Sequence, residues 1–165
     1  MALFASASAA STSGQSYQNY NGLSYYISEE QAIIGKTSSS ISGDVVIPAE
    51  IDGYPVTTIN ESAFLNRTGI TSITIPDSVT TIGNDAFYGC SGVKTIVLSN
   101  NLTIADANLF RGCSSLENLT LGENLNFIGN CTFYGCNSLK TITLPKSIKT
   151  IDNYAFYMCK NLEKV

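Results

Sequence analysis

Apolar residues return along this chain with a fixed beat of 23 residues. Phenylalanine stands at Phe64, Phe87, Phe110, Phe133 and Phe156, and cysteine at Cys90, Cys113, Cys136 and Cys159. The aliphatic columns keep the same step: Ile70, Val93, Leu116, Leu139 and Leu162, then Ile73, Ile96, Leu119, Ile142 and Val165. A third column holds Ile75, Leu98, Leu121 and Leu144, and a fourth Ile59, Ile82, Ala105, Ile128 and Ile151. Within a unit, Leu139-Lys140-Thr141-Ile142-Thr143-Leu144 alternates as a short strand does, with three side chains turned in and the others out. Pro76 and Pro145 follow such strands, and a residue without an N–H ends the ladder there. A second extended piece, Thr80-Thr81-Ile82 or Lys149-Thr150-Ile151, leads into a stretch of the type Ala86-Phe87-Tyr88-Gly89-Cys90, read as one helical or 3₁₀ turn. No unit can bury its apolar face alone, so the units must stack. The predicted fold is a β-rich solenoid: one short parallel strand per coil, short extended pieces and 3₁₀ or helical turns.

The strand signature Leu-x-x-Ile-x-Leu is that of leucine-rich repeats. The unit from Ile70 to Gly92, ITSITIPDSVTTIGNDAFYGCSG, resembles the BspA-like leucine-rich repeats at nearly every position. The likeness runs from about Asp44 to the last residue. The unit from Val93 to Ser115 fits least, with Ser99 for Pro, Ala105 for Ile and Leu109 for Ala, and a deformed coil is expected there. Upstream, Gly43-Asp44-Val45-Val46-Ile47-Pro48 leading to Asp52-Gly53-Tyr54-Pro55 resembles the family's N-terminal β cap. The expected organisation is an uncharged Ala/Ser/Thr-rich arm or leader remnant over 1–20, a β cap over 21–58 and the solenoid over 59–165, with an incomplete last coil. Resemblance to this family implies a surface-displayed or secreted module that adheres to a host protein or glycan.

Composition removes several chemistries. Nine basic and thirteen acidic residues give a net charge of −4 with no basic block, which speaks against nucleic acid and polybasic membrane binding. No apolar run reaches the ~18 residues of a membrane helix. The chain has no histidine, so Ser-His and Cys-His pairs and His-based metal sites are excluded. No phosphate-cradling loop occurs. No enzyme, cofactor or metal is expected. The four cysteines in register read as buried small hydrophobes. Cys131, in the column of Asp85, Asn108 and Tyr154, is expected to be the exposed, reactive thiol.

Binding remains. The strand positions facing outward are Ser72 and Thr74, Thr95 and Val97, Asn118 and Thr120, Thr141 and Thr143, flanked by Thr71, Lys94, Glu117 and Lys140. Solenoid sheet faces are common binding surfaces, although Thr also favours exposed strands for its own conformational reasons. Tyr88, Tyr134 and Tyr157 make a second, partly exposed column, read as packing lids. A rival function is assembly into a larger particle, a phage virion or surface filament. The arm and an uncapped C-terminal edge at Leu162, Lys164 and Val165 would then contact other subunits. The expected location is extracellular or at the cell surface, with a virion as the alternative.

Overall fold

The computed structural model describes residues 16–164. The first fifteen residues, which make up most of the expected arm, and Val165 lie outside that range. Three strands open the described chain: β1 (Gln18–Tyr20), β2 (Leu23–Ser28) and β3 (Gln31–Ile34). β1 pairs antiparallel with β2 and β2 with β3, so Gln18–Tyr20 belong to the cap sheet. The connecting turns hold Asn21 and Gly22 at φ 49° and 88°, and Glu29 and Glu30 at 50° and 60°. Positive φ at both central residues is the turn geometry that matches the twist of paired strands. After β4 (Gly43–Val46), the hairpin of β5 (Glu50–Ile51) and β6 (Tyr54–Ile59) turns in the same way at Asp52 and Gly53. β6 then lies parallel to β3, completing the cap.

The solenoid carries two ladders. The first runs β4–β7–β9–β11, with β7 at Ile70–Thr74, β9 at Thr95–Val97 and β11 at Asn118–Thr120, all parallel. The second comprises the two-residue strands β8 (Thr81–Ile82), β10 (Ile104–Ala105), β12 (Phe127–Ile128) and β13 (Thr150–Ile151). β8 pairs with β6, whereas β10, β12 and β13 form a separate sheet. The break between β8 and β10 falls in the unit that fits the repeat least. There Ser99 stands in place of proline, fully buried, and its hydroxyl donates to the Val79 carbonyl at 2.6 Å. Ala105 and Leu109, both fully buried, exchange the large and small positions of the neighbouring coils and so roughly conserve core volume.

On the third side of each coil the expected helical segment is a chain of hydrogen-bonded turns, and no helix occurs among the described residues. Coil-to-coil bonds run through these turns, from Phe64 N to Ala86 O, Phe87 N to Leu109 O, Phe110 N to Thr132 O and Phe133 N to Ala155 O, at 2.7–3.1 Å. Satisfying turn amides on the next coil lets a non-helical segment lie against the core. Each turn needs left-handed backbone at two places. Ser62, Asp85, Asn108, Cys131 and Tyr154 occupy the first at φ 54–56°. Asn66, Gly89, Gly112, Gly135 and Met158 occupy the second. Asp, Asn and Gly tolerate this region, so Ser62, Cys131, Tyr154 and Met158 hold strained backbone.

Phenylalanine rings form the central stack. Successive centroids from Phe64 to Phe156 lie 5.0, 5.6, 5.6 and 5.3 Å apart, with interplanar angles of 18° or less. The first four rings are fully buried and Phe156 is half-buried. Arg67 fastens the cap to the first coil by donating to the Thr37 carbonyl through Nε and Nη2 and to the Leu65 carbonyl through Nη1.

Candidate recognition surface

The first ladder sets the outward strand residues in ranks. Register places Ser72 beside Thr95 and Thr95 beside Asn118, with Thr74 beside Val97 and Val97 beside Thr120. Thr74, Asn118 and Thr120 are exposed, and Ser72, Thr95 and Val97 are partly so. At the cap end, Asp44 Oδ1 accepts from Ser72 Oγ at 2.7 Å and Thr71 Oγ1 at 2.8 Å, which holds its carboxyl below the usual range. Ser72 is therefore already engaged, and the freer hydroxyls are those of the later coils.

Thr141 and Thr143 are exposed but do not extend this ladder. Lys94 N donates to Thr71 O, and Glu117 N to Lys94 O. Ile75 N donates to Val97 O, and Leu98 N to Thr120 O. The next bonds of the two series would join Lys140 N to Glu117 O and Leu121 N to Thr143 O. Neither is formed. Thr141 instead bridges to Lys164, with Ile142 N donating to Lys164 O at 3.0 Å. The sheet therefore has a seam between its third and fourth coils. A cleft of about 330 Å³ opens there, lined by Leu119, Thr120, Leu121, Thr143 and Pro145. Leu119 is only partly buried, whereas its column mates Ile73 and Ile96 are fully buried. The stack behind the seam stays closed: Phe133–Phe156 and β12–β13 are intact.

The tyrosine column has a member that the aromatic pattern does not reveal. Arg111 occupies the same repeat position, and its guanidinium lies 5.7 Å from the Tyr88 ring centroid and 4.5 Å from that of Tyr134. Its Nη1 donates to Asn108 Oδ1 at 3.3 Å. Tyr88 and Tyr134 are half-buried, and Tyr157 is exposed at the last coil beside Tyr154 and Met158. Reading position 111 as part of that column would have suggested a cation between two rings.

The thiols correct one expectation. Cys131 is buried, at 8% exposure, and its N–H donates to Asn153 O on the following coil. The most exposed of the five thiols is that of Cys159, which is half-buried. Each laddered cysteine donates its Sγ–H to a phenylalanine carbonyl 26 residues earlier: Cys90 to Phe64, Cys113 to Phe87, Cys136 to Phe110 and Cys159 to Phe133. Burial pushes the Cys90 thiol up to about 11 and raises the other three as well. Among the described residues no group of three His, Cys, Asp or Glu side chains lies close enough to hold a metal ion. Of the expected assembly edge, Leu162 packs half-buried against the core and Lys164 is exposed with its backbone bonded to Ile142; Val165 lies outside the described residues.

Comparison with known proteins supplies the lineage. The BspA type leucine-rich repeat region matches residues 46–165 in six copies. The T. pallidum leucine-rich repeat protein is 30% identical with a TM-score of 0.81, covering 89% of this chain and 69% of that one. A leucine-rich cell surface protein from Faecalibacterium prausnitzii is 25% identical with a TM-score of 0.63, covering 89% of this chain and 47% of that one. The pneumococcal vaccine antigen PcpA, 21% identical with a TM-score of 0.55, shares the fold, with 87% of this chain and 48% of that one covered. The chain thus spans about half the length of the latter two. No curated protein matches it. The repeat, the stacked coils and the matching family together make this chain a member of the BspA-type leucine-rich repeat family.

Proposed function

We propose that this chain is a non-enzymatic recognition module, displayed at a cell surface or secreted, that binds a host protein or glycan through its sheet face. The observation that carries this reading is the parallel ladder β7–β9–β11. It sets Ser72, Thr95 and Asn118 in one rank and Thr74, Val97 and Thr120 in the next, a face of short uncharged side chains. Hydroxyls and an amide at ~4.8 Å strand spacing offer regularly placed donors and acceptors to an extended partner. The description of a similar F. prausnitzii protein as a cell surface protein supports the location. Assembly through the last coil draws on the exposed Ile151, Tyr154, Tyr157 and Met158, but a further coil of any repeat array would cover the same atoms, so display is the preferred reading.

The test is direct. The chain is immobilised and presented with a panel of extracellular matrix proteins and a glycan array, beside a Thr95→Lys, Thr120→Lys, Thr143→Lys triple variant with unchanged circular dichroism. Binding by the parent that falls at least ~100-fold in the variant is expected, since three buried, unpaired charges would each oppose the interface. Equal binding by both proteins removes the sheet face from the function.

A further inference from the structure

The seam has the chemistry of a subsite. Leu121 and Thr143 both line the cleft, and the N–H of one and the C=O of the other lack the coil-to-coil bond made at the preceding steps of the same ladder. One donor and one acceptor on adjacent coils, left without the bond that joins their equivalents at the preceding steps, are the complement of a single secondary amide. The amide C=O would accept from Leu121 N–H, and its own N–H would donate to Thr143 C=O. Leu119, Leu121 and Pro145 supply an apolar floor beside these groups, and Thr120 and Thr143 an uncharged rim. Two backbone groups without a protein partner gain from a ligand that supplies both bonds at once. An apolar compound without an amide would fill the cleft and leave both groups unpaired.

We propose that the seam between β11 and the Thr141–Thr143 segment is a binding subsite for one residue of an extended peptide, an uncharged residue with a branched or aromatic apolar side chain. The side chain occupies the cleft and the adjoining peptide unit bonds to Leu121 and Thr143. This rests on the sheet-face reading and narrows it: the partner is a protein, and its contact with the face is anchored at one end, between the third and fourth coils. The phenylalanine stack and the β12–β13 pair continue across the seam, so the opening is confined to the sheet face.

The probe is N-acetyl-leucine methylamide, titrated into ¹⁵N-labelled full chain and followed by amide chemical shifts. Saturable shifts at Leu119, Leu121 and Thr143 are expected, with an affinity of about millimolar for so small a ligand. They should weaken at least tenfold in Thr143→Phe, whose ring fills the notch from an exposed position. They should persist in Thr81→Lys, an exposed position on the second ladder and away from the sheet face. N-acetylglucosamine, which also offers an acetamide, serves as the second arm. Equal or stronger shifts at the same amides with the sugar would overturn the peptide assignment. Absence of saturable shifts with the leucine probe, or shifts unaffected by Thr143→Phe, would overturn the subsite. Failure of the sheet-face reading is seen separately, as undiminished panel binding by the triple lysine variant.

Discussion

Phe110 sits at the middle of the ring stack, and its removal provides a graded test of how the coils hold together. The ring is fully buried and lies 5.6 Å from both Phe87 and Phe133. Phe110→Ala forfeits burial of a large apolar side chain and leaves a cavity that flanking coils cannot close, a combined loss of ~3–5 kcal/mol. Two ring contacts, each worth ~0.5–1.5 kcal/mol beyond burial, place the value toward the top of that range. Phe156 is half-buried and stacks on Phe133 alone, so Phe156→Ala should cost only ~1–2 kcal/mol. Phe110→Leu keeps most of the apolar volume without the ring and should cost ~1–2 kcal/mol. With a urea slope of ~2 kcal/mol/M, the midpoint should fall by ~2 M for Phe110→Ala and by less than ~1 M for Phe156→Ala. Equal losses at the two positions would refute the stack as the source of coil cohesion.

Three further outcomes follow from the same structure. Gly135 has φ 75° and open space where a Cβ would go, so Gly135→Ala should cost ~1–2 kcal/mol from backbone strain alone; Gly122→Ala, whose Cβ would lie 2.0 Å from Ser99 O, should cost more and slow refolding of that coil. Met158 has φ 61° where the three preceding coils have glycine, so Met158→Gly should raise the unfolding free energy by up to ~1 kcal/mol, and a fall would show that the side chain supports the turn. The buried thiols make stability pH-dependent. Unfolded thiols ionise near pH 9, while burial keeps Cys90 protonated to about 11 and raises Cys113 and Cys136, so the folded chain binds more protons. The stabilisation is complete below pH 9 and is lost above it, at up to ~1.4 kcal/mol per pH unit for each thiol. Urea midpoints at pH 7 and 10.5 measure this fall, and Cys113→Ala should shrink it.

Side-chain periodicity carries the fold because each 23-residue column maps to one place on every coil. The phenylalanine stack, the buried cysteine column and the outward strand residues follow directly from it. The misfit of Ser99, Ala105 and Leu109 likewise marks where the second ladder breaks. What periodicity does not encode is backbone pairing. Thr141 and Thr143 keep the pattern of their column mates, yet their strand is bonded to Lys164 and not to β11, so the seam leaves no trace in the hydrophobic pattern. Cys131 failed for a related reason. Its column mates Asp85 and Asn108 are polar, which suggests exposure, but they are themselves half-buried, and at the same place the small apolar thiol is buried. Arg111 escaped notice because a cation interrupts an aromatic column without changing its spacing.

The central claim is that recognition happens on the sheet face and not on the tyrosine side. Amide hydrogen exchange of the full chain, with and without the tightest ligand from the binding panel, reads this residue by residue. Slowed exchange confined to Thr95–Val97, Asn118–Leu121 and Thr141–Thr143 is expected. Protection centred on Tyr88, Arg111, Tyr134 and Tyr157, with the strands unchanged, would contradict it.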